Sequence, residues 1–191
     1  MIRRSAIVLL GLAFASPVLS APKDDLHAAF VKFLAQSSFK GNIDASMMGR
    51  KMHSTIEFQA PDRYRVAADG RPPSVIIGNQ MYLNIGGRSM KMAMPGGMSI
   101  AQYRDASILA QLEHGITVED QGMDSVGGAP AHKYRYTVSQ PHPSTSTIWV
   151  GTSNGLPVQL QTTRPINGKS VDTTISYSDY GDPAIKVTAP N

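Results

Sequence analysis

Ile56-Glu57-Phe58-Gln59-Ala60-Pro61-Asp62-Arg63-Tyr64-Arg65-Val66 reads as two short strands joined by a proline turn. Ile56 and Phe58 alternate with Glu57 and Gln59. Tyr64, Val66 and Ala68 take up the same rhythm after Pro61-Asp62. Side chains of a strand point to opposite faces in turn, so each strand presents one apolar and one polar face. A sheet built this way is antiparallel and solvated on one side.

The same period runs outward in both directions. Upstream, Phe39 opens a segment in which Ile43, Ala45 and Met47 alternate with polar residues. Downstream, Gly70 to Pro73 punctuates and Ser74–Ile77 is a short strand. Gly78-Asn79 turns the chain, and Met81, Leu83 and Ile85 alternate. Gly86-Gly87 turns it again, and Met90, Met92 and Met94 close a meander. Pro95-Gly96-Gly97 ends that segment. Ser99–Glu113 carries Ile100, Tyr103, Leu109 and Leu112 at helical spacing and stops at Gly115. Strands resume at Ile116–Val118, Lys133–Val138 and Thr145–Val150.

Asn154-Gly155 predicts a two-residue hairpin that places Trp149 opposite Leu160, on one face with Val158. Val171–Tyr177 is a late strand, and Ile185–Val187 reads as one more. An earlier helix begins at Pro22-Lys23-Asp24-Asp25, with proline in its first turn and acids at its positive end. Leu26, Phe30, Phe33 and Leu34 carry its apolar stripe through Gln36. The expected fold is α+β: a large curved antiparallel sheet of about ten strands, with the two helices covering its apolar concave face.

The N-terminus has the form of an export signal. Met1-Ile2-Arg3-Arg4 is basic, Ser5–Phe14 is uncharged, and small residues follow from Ala15 to Ala21. The apolar run is shorter than the roughly 20 residues that span a bilayer. Cleavage is expected after Ser20 or Ala21, with Pro22 favouring Ser20; Ala13-Phe14-Ala15 is an alternative site. Residues 1–20 are thus read as signal peptide and 21–191 as one domain, exported to the periplasm. The chain has no cysteine, so neither a disulfide nor a lipid attachment to a signal cysteine is available to it. Losing Arg3 and Arg4 takes the net charge from +4 to +2. With no dense Lys/Arg run, a nucleic-acid partner is not expected.

This arrangement resembles the LolA-like superfamily of bacterial envelope proteins. That group includes the lipoprotein carrier LolA, lipid carriers of the LppX and LprG type, and the regulator RseB. The resemblance lies in the signal followed by a short helix and in the Ile56–Val66 pair of strands. It continues in Ile76-Ile77-Gly78-Asn79-Gln80-Met81-Tyr82, then in Trp149-Val150, Asn154-Gly155-Leu156-Pro157-Val158 and Tyr177-Ser178-Asp179-Tyr180-Gly181. It implies an open half barrel with helices across the concave face and an apolar cavity for acyl chains between them. The lipoprotein carrier has an arginine directly before the turn proline, where this chain has Ala60. The latch that arginine provides is therefore not carried over, nor assigned to Arg63 or Arg65.

Catalytic patterns are missing from the sequence. There is no thiol, no Gly-x-Ser-x-Gly elbow, and the five histidines (His27, His53, His114, His132 and His142) make no metal-ligating spacing. Neither an enzyme nor a cofactor is expected. The distinctive feature is methionine: Met90, Met92, Met94 and Met98 lie close together, with Met81 upstream. Three readings stand side by side. The residues pack as ordinary core, they line a cavity that adapts to varied apolar ligands, or their thioethers bind Cu(I).

The expected function is a non-catalytic carrier or binder of a lipid or lipidated molecule, with outer-membrane biogenesis as its setting. Its partners would be an acyl-chain ligand and a membrane or lipoprotein. The cavity is expected to be lined by Ile56, Phe58, Tyr64, Val66, Met81, Leu83, Ile85, Met90, Met92 and Met94, with Leu109 and Leu112 closing it from the second helix. Alternatives are an envelope regulator of the RseB type and a Cu(I)-binding protein.

Overall fold

The structure, a computed structural model, describes residues 21–47, 49–94, 115–139, 143–166 and 168–190. Its one described helix, α1, spans Pro22–Leu34. Proline at the start leaves no orphan N–H there, and Asp24 and Asp25 lie in the first turn with Lys32 in the last, matching the helix dipole. Leu26 and Ala29 are its buried residues.

Eleven strands follow: β1 (Ser38–Met47), β2 (Arg50–Gln59), β3 (Arg63–Ala68), β4 (Ser74–Ile77), β5 (Gln80–Ile85), β6 (Arg88–Ala93), β7 (Ile116–Val126), β8 (Ala129–Val138), β9 (Ser144–Gly151), β10 (Pro157–Ile166) and β11 (Lys169–Ser178). They form one open antiparallel sheet in the order β6-β5-β4-β3-β2-β1-β11-β10-β9-β8-β7. Two consecutive meanders therefore meet at a central seam, where Lys40 pairs with Ser178 and Ile43 with Ile175. The outer strands are β6 and β7. The second helix expected at Ser99–Glu113, with Leu109 and Leu112, lies outside the described residues.

The strand register separates two faces. Across the first meander, Phe39 pairs with Phe58, Phe58 with Tyr64, Tyr64 with Ile76, Ile76 with Met81, and Met81 with Met92. The alternate row on the other face runs Lys40, Glu57, Arg65, Val75, Tyr82 and Lys91. Helix α1 packs on the first face. Leu26 is buried against Tyr134 and Ile148, with Phe30, Val118, Tyr136, Val150 and Leu160 around them.

The chain after β11 covers part of the second face. Ile185 and Val187 are buried against Val75, beside Ile77 and Tyr82. Ile185–Val187, expected as a strand, is instead an extended strap without ladder pairing. Side chains hold Val187: its N–H donates to Gln59 Oε1 at 2.8 Å, and Arg63 Nη1 donates to Val187 O at 3.1 Å, while Ile185 N donates to Asp182 O. Its alternation is real, but it lies across a sheet rather than beside one.

The β9–β10 hairpin also departs from expectation. Leu160 pairs with Ile148 and Trp149 with Gln159, so Trp149 lies on the face opposite Leu160. The cause is a longer turn with a bulge after Pro157. Gly151 N donates to Leu156 O, and Gly155 N to Gly151 O, so the connection spans five residues rather than two. A shift of one residue reverses every side chain in a strand. Trp149 instead donates its indole N–H to Asp124 Oδ2 at 2.9 Å and lies under Lys133.

Candidate functional site

The helix-bearing face of β1–β6 begins with an aromatic row. Phe33 of α1 stacks at 5.0 Å on Phe39, Phe39 at 5.0 Å on Phe58, and Phe58 at 4.9 Å on Tyr64. Tyr177 of β11 closes the row from the seam, 5.3 Å from Phe33. Offset and tilted ring pairs of this kind add about 0.5–1.5 kcal/mol each beyond burial. Phe58 is fully buried and Phe39 nearly so, which fixes this end of the face. Burial also pushes the Tyr177 hydroxyl pKa up.

From Tyr64 outward the face turns aliphatic and then thioether, through Ile76, Met81 and Met92. The neighbouring row places Ile56 opposite Val66, and further out Leu83 stands opposite Met90. Burial falls in the same direction. Met81 and Leu83 are half-buried, while Ile85, Met90 and Met92 are 55%, 49% and 43% exposed. Met94 follows the strand, and its N–H donates to Asn79 O at 2.8 Å, extending the ladder by one position. Register thus brings Ile56, Phe58, Tyr64, Val66, Met81, Leu83, Ile85, Met90 and Met92 to one face. Lys91 stands on the other, 5.9 Å over the Tyr82 ring.

Charge is sorted as cleanly. On the opposite face Glu57 and Arg65 form a cross-strand ion pair at 3.0 Å, and Arg65 also reaches Lys186 O. On the apolar face of β5 and β6 the register leaves one charged residue, Arg88, opposite Ile85 beside the turn. The turn itself, Gly86-Gly87, has φ of 61° and 80°, the left-handed conformation that a type I′ two-residue hairpin demands of both residues.

Sequence reasoning missed a second concavity, where α1 leans on β8 and β9. A cleft of about 350 Å³ is lined there by Asp25, Ala29 and Lys32 of the helix with His132, Tyr134 and Val150 of the sheet. Tyr134 donates its hydroxyl to Asp25 Oδ2 at 3.3 Å, and burial with the nearby Asp25 and Asp120 carboxylates pushes its pKa up to about 12. His132 Nε2 lies 2.7 Å from Asp120 Oδ1 and its ring stacks on Tyr134. The Gly122 backbone N–H and then His132 hold the Asp120 carboxyl below its ordinary pKa. Each of these polar groups is satisfied by a protein partner. Among the described residues no group of three or more His, Asp or Glu side chains could hold a metal. No residue pattern in the sequence marks this cleft, because it depends on a helix and strands more than a hundred positions apart.

Solved structures share this architecture. Lipoprotein LppX of Mycobacterium tuberculosis superposes with a TM-score of 0.65 at 13% identity, covering 87% of this chain and 97% of that one. LprF of Mycobacterium bovis gives 0.59 at 14%, covering 89% and 96%. The fold is LolA-like. MucB of Pseudomonas aeruginosa, in its complex with MucA, gives 0.52 at 16%, and this chain spans 58% of that one. No protein-family model and no curated protein matches the sequence. At these identities the likeness is one of fold alone. No described helix is long and apolar enough to cross a membrane.

Proposed function

We propose that this protein is a non-catalytic carrier or binder of lipid or lipidated molecules, held on the helix-bearing face of β2–β6. The observation that carries this reading is the gradient on that face. A rigid aromatic base at Phe58 and Tyr64 runs into an exposed field of Ile85, Met90 and Met92. Large apolar side chains left exposed together are what a binder of apolar ligands needs. Each acyl CH2 withdrawn from water contributes about 0.8 kcal/mol, so a chain of about fourteen carbons offers on the order of 10 kcal/mol before ordering costs. Methionine suits the outer part because its unbranched thioether adapts to different chains. The cavity set is Ile56, Phe58, Tyr64, Val66, Met81, Leu83, Ile85, Met90, Met92 and Met94, with Leu109 and Leu112 as its proposed closure. Residues 1–20 act as the export signal and 21–191 as the working domain, in the periplasm. The LolA-like fold, shared with LppX and LprF, supports this setting.

Uptake of a fluorescent fatty acid tests the reading. Met92→Asp places an unpartnered charge on the apolar face, a costly step in a desolvated site. Uptake should be abolished by Met92→Asp and nearly intact in Lys91→Asp, which changes the opposite face. Equal uptake by a folded Met92→Asp protein, judged by circular dichroism, would sink the assignment. A second reading, an envelope regulator that binds a protein partner, draws on the fold shared with MucB, solved in complex with MucA.

A further inference from the structure

From the register of β5 and β6 we infer a Cu(I) site built only from thioethers, centred on Met81. The inference concerns a metal and stands independently of the acyl-chain reading. Met81 lies directly across the ladder from Met92. Met90 precedes Met92 by two positions and Met94 follows it by two, so both are diagonal neighbours of Met81 on the same side of the sheet. Directly paired residues have Cβ atoms about 4.5–5.5 Å apart, and diagonal ones about 7–8 Å at most. Each sulfur stands two flexible bonds beyond its Cβ. Met81, Met92 and one diagonal methionine can therefore bring three sulfurs to one point without moving the backbone.

The chemistry of the set selects the ion. The chain has ten methionines and no cysteine, so thioethers are its only soft sulfur donors, and four of them share this patch. Thioethers favour Cu(I) and bind hard divalent ions poorly. They are neutral, so the empty cluster carries no charge repulsion and needs no proton release on binding. Lys91 projects from the other face, and Arg88 lies at the turn, beyond Met90. The end formed by Met81, Met92 and Met94 is thus the one most removed from positive charge on this strand. Met92 and Met90 are both exposed, on a strand at the edge of the sheet, so the ion has a path in.

The test is anaerobic titration of the full-length protein with Cu(I) against a chromogenic Cu(I) chelator, with X-ray absorption of the loaded protein. The expected result is one Cu(I) per chain with sulfur as its protein ligand. Met81→Leu and Met92→Leu, which keep size and apolarity, should each weaken retention by about tenfold or more. Met123→Leu, an exposed methionine on β7, should leave it unchanged. Zn(II) should not be retained. A nitrogen or oxygen coordination shell, or equal retention by Met81→Leu, Met92→Leu and Met123→Leu, would overturn the site. Neither readout involves an acyl chain, so failure here and failure of fatty-acid uptake are separate results.

Discussion

The two meanders treat the same face of the sheet in opposite ways. On β8–β10, helix α1 lies on the strands, and Tyr134 and Ile148 are 4% and 1% exposed. On β5–β6, Ile85, Met90 and Met92 of that face are exposed, and the chain's covering strap lies on the other side, over Val75 and Tyr82. Residue choice follows the same division. The covered half uses branched and aromatic side chains that lock into one packing. The open half uses methionine, which pays little for being rearranged. One half is packed, and the other leaves its large apolar side chains exposed.

That contrast can be broken most directly by truncating one side chain in each half. Ile148→Ala should cost about 2–5 kcal/mol in urea unfolding, as deletion from a packed core does. Met90→Ala should cost under about 0.5 kcal/mol, as exposed substitutions do. Equal losses would mean that the β6 face is packed in solution and no gradient exists. A smaller effect sharpens the boundary on the second face of β9. Trp149→Phe removes the indole N–H bonded to Asp124 and should cost about 1–2 kcal/mol. The same change should bring the Asp124 pKa back up, since that bond is the largest cause holding it down. A proton titration by NMR that left Asp124 unmoved would refute the pairing.

The smallest expected effect is in acid. The folded-state pKa of Asp120 is depressed, so its contribution to stability is present above the unfolded value and disappears as pH falls through the folded one. Asp120→Asn should therefore be less stable than the parent protein near neutrality, and the two should converge in acid. A gap that stays constant down the pH range would show that neither the Gly122 N–H nor the His132 contact favours the ionised carboxylate. No counterpart is expected on the apolar face of β5.

Most of the sheet was legible in local alternation. The strands from Phe39 to Met94, and those read at Lys133–Val138, Thr145–Val150 and Val171–Tyr177, appear where the period of two placed them, and α1 begins at its proline; β7 runs on past the expected Ile116–Val118 to Val126, and β8 starts earlier, at Ala129. The sharing of one face by Ile56, Phe58, Tyr64, Val66, Met81, Leu83, Ile85, Met90 and Met92 also follows from parity, once each turn between the strands is short. What was illegible depends on length or distance. The β9–β10 turn hid its bulge behind an Asn-Gly pair that looks like a tighter hairpin, so Trp149 changed faces. Ile185–Val187 has a strand's pattern, but whether such a segment lies beside a sheet or across it is decided by Gln59 and Arg63, far away in sequence. Tyr177 joined the aromatic row only because β1 pairs with β11, which no local pattern announces.

That last pairing has a consequence in time. The sheet's central ladder joins Lys40 to Ser178, and the strap that follows it ends the described chain. Contacts so distant in sequence are slow to form, because a long loop must close before any of them is rewarded. While the chain is being made, β1 has β2 on one side and nothing on the other until the last strand emerges. The early meander is then half of a sheet with an unprotected inner edge, open to wrong partners. The seam at the middle of the sheet is completed only once β11 has been made, so β1 waits for its second neighbour longer than any other inner strand.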